Sequence, residues 1–482
     1  MKAKEKIAVS FVLCPFWDTG APPLGITYLR SYISKEYKTF LFDFNISLYS
    51  KKKDNLMRGW DFQLPNDERD RIFNKTFFRN DGFLDGELHN WVEKILATGS
   101  EVVCFSTYSE NLAMSLELAE RIKQEDASMK IIFGGPFCRR NRFVYKGRGP
   151  AVVDVFVIGE GEETLLELLH SYEKKGHFDL CKGSVSKSGD GGPREPIKDL
   201  DKIPFPDFSD LPLHKYTRPN MAYLLSSRGC VGNCVFCRDR NMWPGFSYRS
   251  AENIFEEMKL RKKQGFQFLR FSDLLINGNL EVLGSLCDLI VGEGLQIKWD
   301  GAMRSNLGMD YQFFKKLKDA GFIGTNFGVE SGSQRILDLM KKQQNIESFE
   351  RNLRDAHSVG IGVAINIIIG FPGETELTFK ETLDFIYRNR EYITCLASLT
   401  PFYVEPESKL FEDHQTYNVK FGPNIHHDET DWVCLDGLNN SGWRLRKCAE
   451  LYDFVKDLEN IRLECPQYNK EVRQLKVKTA DG

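Results

Sequence analysis

Short apolar runs ending in glycine or a small polar residue recur through the first 170 residues, each followed by an amphipathic stretch. Residues 7–13, 21–30 and 39–45 read as strand, loop with helix, and strand. Residues 102–107 precede a helical pattern reaching Lys123, residues 130–136 read as the next strand, and residues 155–161 open a helix over 162–170. This alternation confines the region to an α/β fold, a parallel sheet with helices on both faces. Such sheets bind ligands beyond the carboxyl ends of their strands. The residues there are Asn45, Ser106, Thr107, Gly134, Gly135, Pro136, Gly159 and Glu160, with Gly161 beside them. On this reading alone a phosphate-bearing nucleotide fits the crevice. Residues 50–98 insert a helical, aromatic-rich stretch between the second and third strands.

A second feature carries chemistry. Cys230-Val-Gly-Asn-Cys234-Val-Phe-Cys237 places three thiols within eight residues, directly after the apolar run at 222–225. Three soft ligands on one loop suit an iron–sulfur cluster with one iron left open. Zinc is the alternative, but structural zinc takes four ligands, usually as two close pairs. No second close cysteine pair exists, and His177 with Cys181 stands alone far upstream. Twelve cysteines without repeated close spacing point to reduced thiols rather than a disulfide framework.

The spacing CxxxCxxC, with Phe236 just before the third cysteine, resembles the signature of radical SAM enzymes. Residues 327–334, FGVESGSQ, are similar to the GxESGS strand end of that superfamily, and residues 367–374, IIIGFPGE, to its later apolar strand and glycine turn. Ahead of them the order PPLG (22–25), ST (106–107), GGP (134–136) and GEGE (159–162) resembles the cobalamin-binding radical SAM family, a resemblance covering residues 5 to about 400. It implies that Cys230, Cys234 and Cys237 hold a [4Fe–4S] cluster whose fourth iron binds S-adenosylmethionine (SAM). It implies SAM contacts from Phe236, Asp273, Arg304, Glu330 and Ser331, and cobalamin contacts from Asn45, Ser106, Thr107, Gly134, Gly135, Pro136, Gly159 and Glu160. Helix capping for Asp273, a surface salt bridge for Arg304 and a tight turn at 159–161 are the plain alternatives. The chain departs from the DxHxxG cobalamin pattern, because Asn45 follows the second strand and His89, His170 and His177 lie elsewhere. The lower face of cobalt is therefore expected to lack a histidine ligand.

The expected organisation is an N-terminal Rossmann-like cobalamin-binding domain (1–181), a linker and crossing segment (182–217), a radical SAM partial (β/α) barrel (218–400) and a small C-terminal region (401–482) with a helix over 441–462. The resemblance implies methyl transfer to an unactivated sp3 carbon, by way of a 5′-deoxyadenosyl radical and methylcobalamin. Cyclisation or rearrangement without methyl transfer is one alternative. A methylthiotransferase with a second cluster on Cys14, Cys104 and Cys138 is another, and a non-enzymatic zinc- or cluster-bearing module a third. A small-molecule, lipid or peptide substrate and an external electron donor are expected partners. Residues 402–406, 424–427 and 430–433, with His426 and His427, line a pocket on one reading and are ordinary core and surface on the other.

Charge and length bound the rest. Lys and Arg number 65 against 68 Asp and Glu, a net charge of −3, so no global field recruits nucleic acid. The basic runs 259–263 and 315–318 lie on helix patterns and read as solvated faces. At 482 residues the chain exceeds a single core and suggests two or three domains. No stretch reaches the roughly 18 apolar residues that span a bilayer. Lys2, Lys4 and Lys6 before an apolar run imitate a signal peptide, but Pro15-Phe-Trp17 offers no small-residue cleavage site, so a cytoplasmic location is expected.

Overall fold

The computed structural model describes residues 6–61, 73–140, 150–239, 243–423, 425 and 430–464. Asn424, His426 and His427 lie outside the described residues. The chain divides into two compact units, Met1–Tyr223 and Leu224–Gly482.

The first unit is built on strands β1 (Ala8–Leu13), β2 (Lys38–Asp43), β3 (Val102–Ser106), β4 (Lys130–Gly134), β5 (Val155–Val157), β6 (Ser184–Ser186) and β7 (Gly189–Asp190). Their order in the sheet is β2-β1-β3-β4-β5-β6-β7. Strands β1 to β5 pair in parallel. Every residue of β1 is buried, as a central parallel strand covered on both faces requires. Because β1 is flanked by β2 and β3, the strand order reverses there, and the crevice at that reversal is where such sheets take ligands. Helices Gly82–Leu96 and Leu112–Glu125 pack together in a core that includes Phe44, Leu88, Trp91, Leu118 and Phe133. The helical insert contributes its aromatic residues here, with Trp91 stacked on Phe44 at 4.6 Å.

Residues 182–196, expected as a linker, instead hold the antiparallel hairpin β6–β7, which extends the sheet. The polar, glycine-rich composition hid Val185, 2% exposed, which with Ser184 supplies the buried residues of β6, a three-residue strand between β5 and β7. Arg194 then docks on helix Glu162–Lys175 through Glu163 and Glu167. The segment that follows is also bound to the first unit. Thr217 N–H and Arg218 N–H donate to Thr19 and Gly20 carbonyls, Tyr216 Oη donates to Asp43 at 2.6 Å, and Tyr223 Oη to Asp18 at 2.8 Å.

The second unit carries β8 (Met221–Leu224), within which the division between units falls, then β9 (Ser227–Gly229), β10 (Phe246–Tyr248), β11 (Phe268–Phe271), β12 (Lys298–Met303), β13 (Phe322–Glu330), β14 (Gly362–Ile369), β15 (Cys395–Pro401), β16 (Val419–Phe421), β17 (Trp432–Cys434) and β18 (Arg462–Leu463). The main sheet runs β18-β15-β14-β13-β12-β11-β8. From β11 to β18 all pairs are parallel, and helices Leu280–Gly292, Tyr311–Asp319, Ile346–Ser358 and Glu376–Arg388 connect successive strands. Along β13, Thr325, Phe327 and Val329 are buried while Asn326, Gly328 and Glu330 alternate with them on a more open face. Strand β14 repeats the pattern. One face of the sheet is thus apolar core, and the other is lined by small and polar side chains, as in a partial (β/α) barrel.

The C-terminal region is not the separate third body that its sequence suggested. Hairpin β16–β17 shares a core with Val235, Ile336, Met340 and Phe371, helix Ser441–Lys456 packs on β15, and β18 joins the main sheet. Buried Arg444 fixes this arrangement. Its guanidinium lies 3.8 Å from the Trp432 ring centroid and donates to the Thr430 and Trp432 carbonyls. Gly370, at φ +88°, leaves it room, because a Cβ there would stand 2.3 Å from Arg444 Cγ.

Candidate functional site

The cysteine loop leaves β9, which pairs antiparallel with β10. Gly229 has φ +85°, and a Cβ on it would stand 2.1 Å from the Gly245 carbonyl oxygen, so only glycine launches the loop along this path. The loop is pinned at its middle by Val235 N–H donating to Met340 O and by Leu410 N–H donating to Val235 O. Gly232 N–H donates to Cys230 Sγ at 3.3 Å. Cys230, Cys234 and Cys237 are half-buried, whereas Cys14, Cys104, Cys138, Cys287, Cys395, Cys434 and Cys448 are buried. Among the described residues no three His, Cys, Asp or Glu side chains are drawn together as they would be around a bound ion. The donor set nevertheless suits a cluster held on three sulfurs: the thiols are half-buried and close in sequence, and Cys230 and Cys234 each already accept from an N–H donor.

Arg304 follows β12 directly and is fixed at its backbone by Asn277, which accepts from Arg304 N–H at 3.0 Å and donates to its carbonyl at 2.7 Å. Its guanidinium reaches Cys234 Sγ at 3.5 Å and also donates to the Lys342 carbonyl. Lys342, only 4% exposed, turns its ammonium to Glu330 at 3.2 Å. Glu330 itself has φ +67°, a strained backbone for a residue with a side chain, at the end of β13. Arg304, Glu330 and the cysteine loop are therefore linked through Lys342. Phe236 meets Phe371 edge-on at 6.4 Å.

Two residues expected to touch SAM are otherwise engaged. Asp273 is buried and is not a helix cap. Its carboxylate accepts from Ser226 N–H at 3.0 Å, Ser226 Oγ at 2.7 Å and Ser227 Oγ at 2.6 Å, tying the β8–β9 turn ahead of the cysteine loop. Ser331, fully buried, shares a hydrogen bond with Thr382 Oγ1 and accepts from Ser333 N–H. Sequence reasoning passed over Asn277, Lys342, Ser226 and Ser227. The two serines carried the one available signal, being the polar pair between the first apolar strand and the cysteines.

The glycine turn after β14 holds a further ionisable group. Glu374 is 5% exposed, Gly370 N–H donates to one carboxylate oxygen, and the other, Oε1, has no partner among the described residues. Burial pushes its carboxyl up to about 8, against the lowering effect of the Gly370 bond. The folded protein then keeps a proton that the unfolded chain releases near the ordinary value of 4.5, so stability is highest at the acid end and falls as pH rises towards 8. Glu374→Gln, which mimics the neutral acid, is expected to match the wild-type melting temperature near pH 5 and to exceed it by pH 8, with thermal melts across that range as the check.

In the first unit, Asn45 is fully buried and makes four hydrogen bonds: Oδ1 accepts from Trp17 N–H and Trp60 Nε1, and Nδ2 donates to the Trp17 and Asp18 carbonyls. Its side chain holds the loop after β1 and has no capacity left for a ligand. Glu160, with Gly159 at φ +83°, accepts from Ile197 N–H and so anchors the chain after the β6–β7 hairpin. The remaining candidates form a shelf at the strand-order reversal. Thr107 N–H and Oγ1 both donate to the Gly134 carbonyl at 2.8 Å, and Gly135 at φ +98° brings its backbone so near that a Cβ would lie 2.7 Å from Thr107 O. Pro136 begins helix Pro136–Arg140 immediately beyond. A Cβ on Gly134 would meet only Val157 at 3.8 Å, and one on Gly25 only Ser106 Oγ at 3.8 Å, so the strand ends are kept low. Trp17 and Tyr108 stack at 3.5 Å nearby in sequence to β1 and β3. The Thr107 hydroxyl is fully buried and spent on Gly134, so the shelf offers glycine backbone and the partly exposed Ser106, which suit a large planar ligand carrying amide side chains.

Comparison with known proteins decides the family. Residues 82–169 match the B12 binding domain, and residues 224–386 match the radical SAM superfamily. The chain belongs to the cobalamin-binding radical SAM family. This radical SAM protein is 28% identical over 410 residues to an uncharacterized methyltransferase of Pyrococcus horikoshii, covering 82% of this chain and 78% of the relative. It is 26% identical over 336 residues to an anaerobic magnesium-protoporphyrin IX monomethyl ester cyclase of Rubrivivax gelatinosus, covering 64% of this chain and 59% of that one. Its fold is that of the radical S-adenosylmethionine methyltransferase TsrM from Kitasatospora setae, solved with cobalamin and a [4Fe–4S] cluster, at TM-score 0.66 and 17% identity over 87% of this chain and 76% of TsrM.

Proposed function

We propose that this radical SAM protein is a cobalamin-dependent methyltransferase acting on an unactivated sp3 carbon of a small-molecule, lipid or peptide substrate, with electrons from an external donor. The observation that carries the reading is the presence in one chain of a B12 binding domain and of a radical SAM domain whose loop presents three accessible thiols. The methyltransferase name of the Pyrococcus relative supports it. Cys230, Cys234 and Cys237 would hold the cluster, Arg304, Glu330 and Phe236 would face SAM, and Gly25, Ser106, Thr107, Gly134 and Gly135 would seat cobalamin.

When bound, the cluster with SAM supplies a hydrogen-abstracting carbon radical and cobalamin supplies a transferable methyl group. The chain's own residues bind and orient. Asn277 fixes the Arg304 backbone and the Lys342 carbonyl its guanidinium, Lys342 restrains Glu330, and Asp273 with Ser226 and Ser227 sets where the cysteine loop begins. Acid–base side chains need not be numerous, because the cofactors carry the hard steps.

A second reading, cyclisation without methyl transfer, is favoured by the cyclase relative. A second cluster finds less support. Burial pushes Cys14 and Cys138 up to about 12 and raises Cys104 further, which keeps these thiols protonated and poor ligands. No helix among the described residues is long and apolar enough to cross a membrane.

Anaerobic turnover with methyl-deuterated SAM, a low-potential reductant and extract of the source cells tests the proposal. A new product carrying the label, with S-adenosylhomocysteine and 5′-deoxyadenosine as co-products, is expected. A product free of label, formed with deoxyadenosine alone, would favour cyclisation or rearrangement and overturn the methyltransferase reading.

A further inference from the structure

We propose that Arg304 sets the reduction potential of the cluster, placing a positive charge and an N–H donor on the sulfur of Cys234. The inference deepens the reading above and rests on Cys230, Cys234 and Cys237 holding a cluster. Three observations carry it. The guanidinium donates to Cys234 Sγ at 3.5 Å, and its backbone is locked on both sides by Asn277, so the contact is built rather than incidental. Gly232 is shaped around it: a Cβ at that position would lie 2.4 Å from Nη1 and 2.9 Å from Cζ, so the loop leaves a gap for the guanidinium. Among the described residues no carboxylate pairs with Arg304, because the neighbouring Glu330 is taken by Lys342. The charge reaching the loop is therefore uncompensated.

Reduction adds one electron to the cluster and makes it more negative. A cation and an N–H donor at a cluster sulfur stabilise that added charge, and hydrogen bonds and net charge near the sulfurs are among the factors that set cluster potentials. Gly232 N–H already serves Cys230 in the same way. Arg304 serves Cys234 with a full charge and would ease electron entry from the external donor. Contact with SAM, the role that the family resemblance implies for Arg304, would leave no trace in a measurement made without SAM.

The test is an equilibrium redox titration of the reconstituted full-length protein without SAM, under strict anaerobiosis, followed by the electron paramagnetic resonance signal of the reduced cluster. Arg304→Met is expected to lower the potential by at least the 59 mV that corresponds to a tenfold change in a one-electron equilibrium. Arg304→Lys, which keeps the charge but loses the planar fork, is expected to fall between the two. Gly232→Ala retains the arginine and displaces its guanidinium, and is expected to lower the potential in the same direction. That variant decides the question if Arg304→Met fails to retain iron. Potentials unchanged in Gly232→Ala, and in any Arg304→Met protein that retains iron, would overturn the proposal while leaving the cluster reading intact. Wild-type protein that takes up no iron would instead overturn the cluster reading, and the proposal with it.

Discussion

Replacing any one of Cys230, Cys234 and Cys237 with alanine is expected to reduce iron retention after anaerobic reconstitution to the blank and to abolish SAM cleavage. The expectation is large because the three ligands act as one unit. A cluster with an open fourth iron has no spare protein ligand, so two thiolates cannot hold what three hold. The control lies within the same chain. Cys14, Cys104 and Cys138 are buried and their thiols are raised by desolvation, so Cys104→Ala and Cys138→Ala are expected to retain the wild-type iron content. Loss of half the iron in those variants would instead place a second cluster in the first unit and revive the methylthiotransferase reading. Iron assay and deoxyadenosine release, measured side by side, separate these outcomes.

The second large effect is expected at Asp273. Its carboxylate gathers the backbone N–H of Ser226 and the hydroxyls of Ser226 and Ser227. Ser227 stands in β9, three residues before Cys230. Asp273→Ala leaves the Ser226 N–H and hydroxyl without their acceptor and Ser227 Oγ with only the Leu275 carbonyl at 3.2 Å, at about 1–3 kcal/mol for each group left unsatisfied. The variant is therefore expected to lose about 3 kcal/mol or more in denaturant titration and to reconstitute with less iron, because the loop start is no longer fixed. Were Asp273 instead a direct SAM contact, the same variant would keep its stability and iron and lose only SAM affinity. Burial raises the Asp273 carboxyl above the ordinary carboxylate value, its hydrogen bonds opposing that rise. Stability contributed at this position thus declines as pH rises from the unfolded-state value, the reverse of a surface-paired aspartate.

The parallel strands of the first unit were legible because their apolar runs are short and separated by helical periodicity, as in residues 7–13 and 102–107. The cysteine loop was legible because metal-ligand spacing is local in sequence. What could not be read is what depends on contacts distant in the chain. Asn45 occupies the slot where a ligand was sought, yet its four hydrogen-bonding positions are consumed by Trp17, Asp18 and Trp60. Glu160 looked like part of a ligand-binding turn and accepts from Ile197, 37 residues away. The β6–β7 hairpin was hidden by glycine-rich composition, since β6 is only three residues long and Val185 is its one apolar side chain. In the C-terminal region the helical pattern over 441–462 was legible, but its apolar residues gave no sign of a partner elsewhere in the chain. They instead meet Phe371 and Val235 from the barrel, with Arg444 closing over Trp432. Lys342 lacked a signal of its own, and only the fold turns it toward Glu330.

The central claim, that one chain holds both cofactors, is tested most directly by metal content after anaerobic reconstitution with iron, sulfide and cobalamin, followed by removal of unbound cofactor. About four iron atoms and about one cobalt per chain are expected, with the cobalt retained when the three loop cysteines are replaced, since a three-cysteine [4Fe–4S] site and a separate B12 binding domain load independently. Iron without cobalt, or cobalt that is lost with the cysteines, would contradict the account.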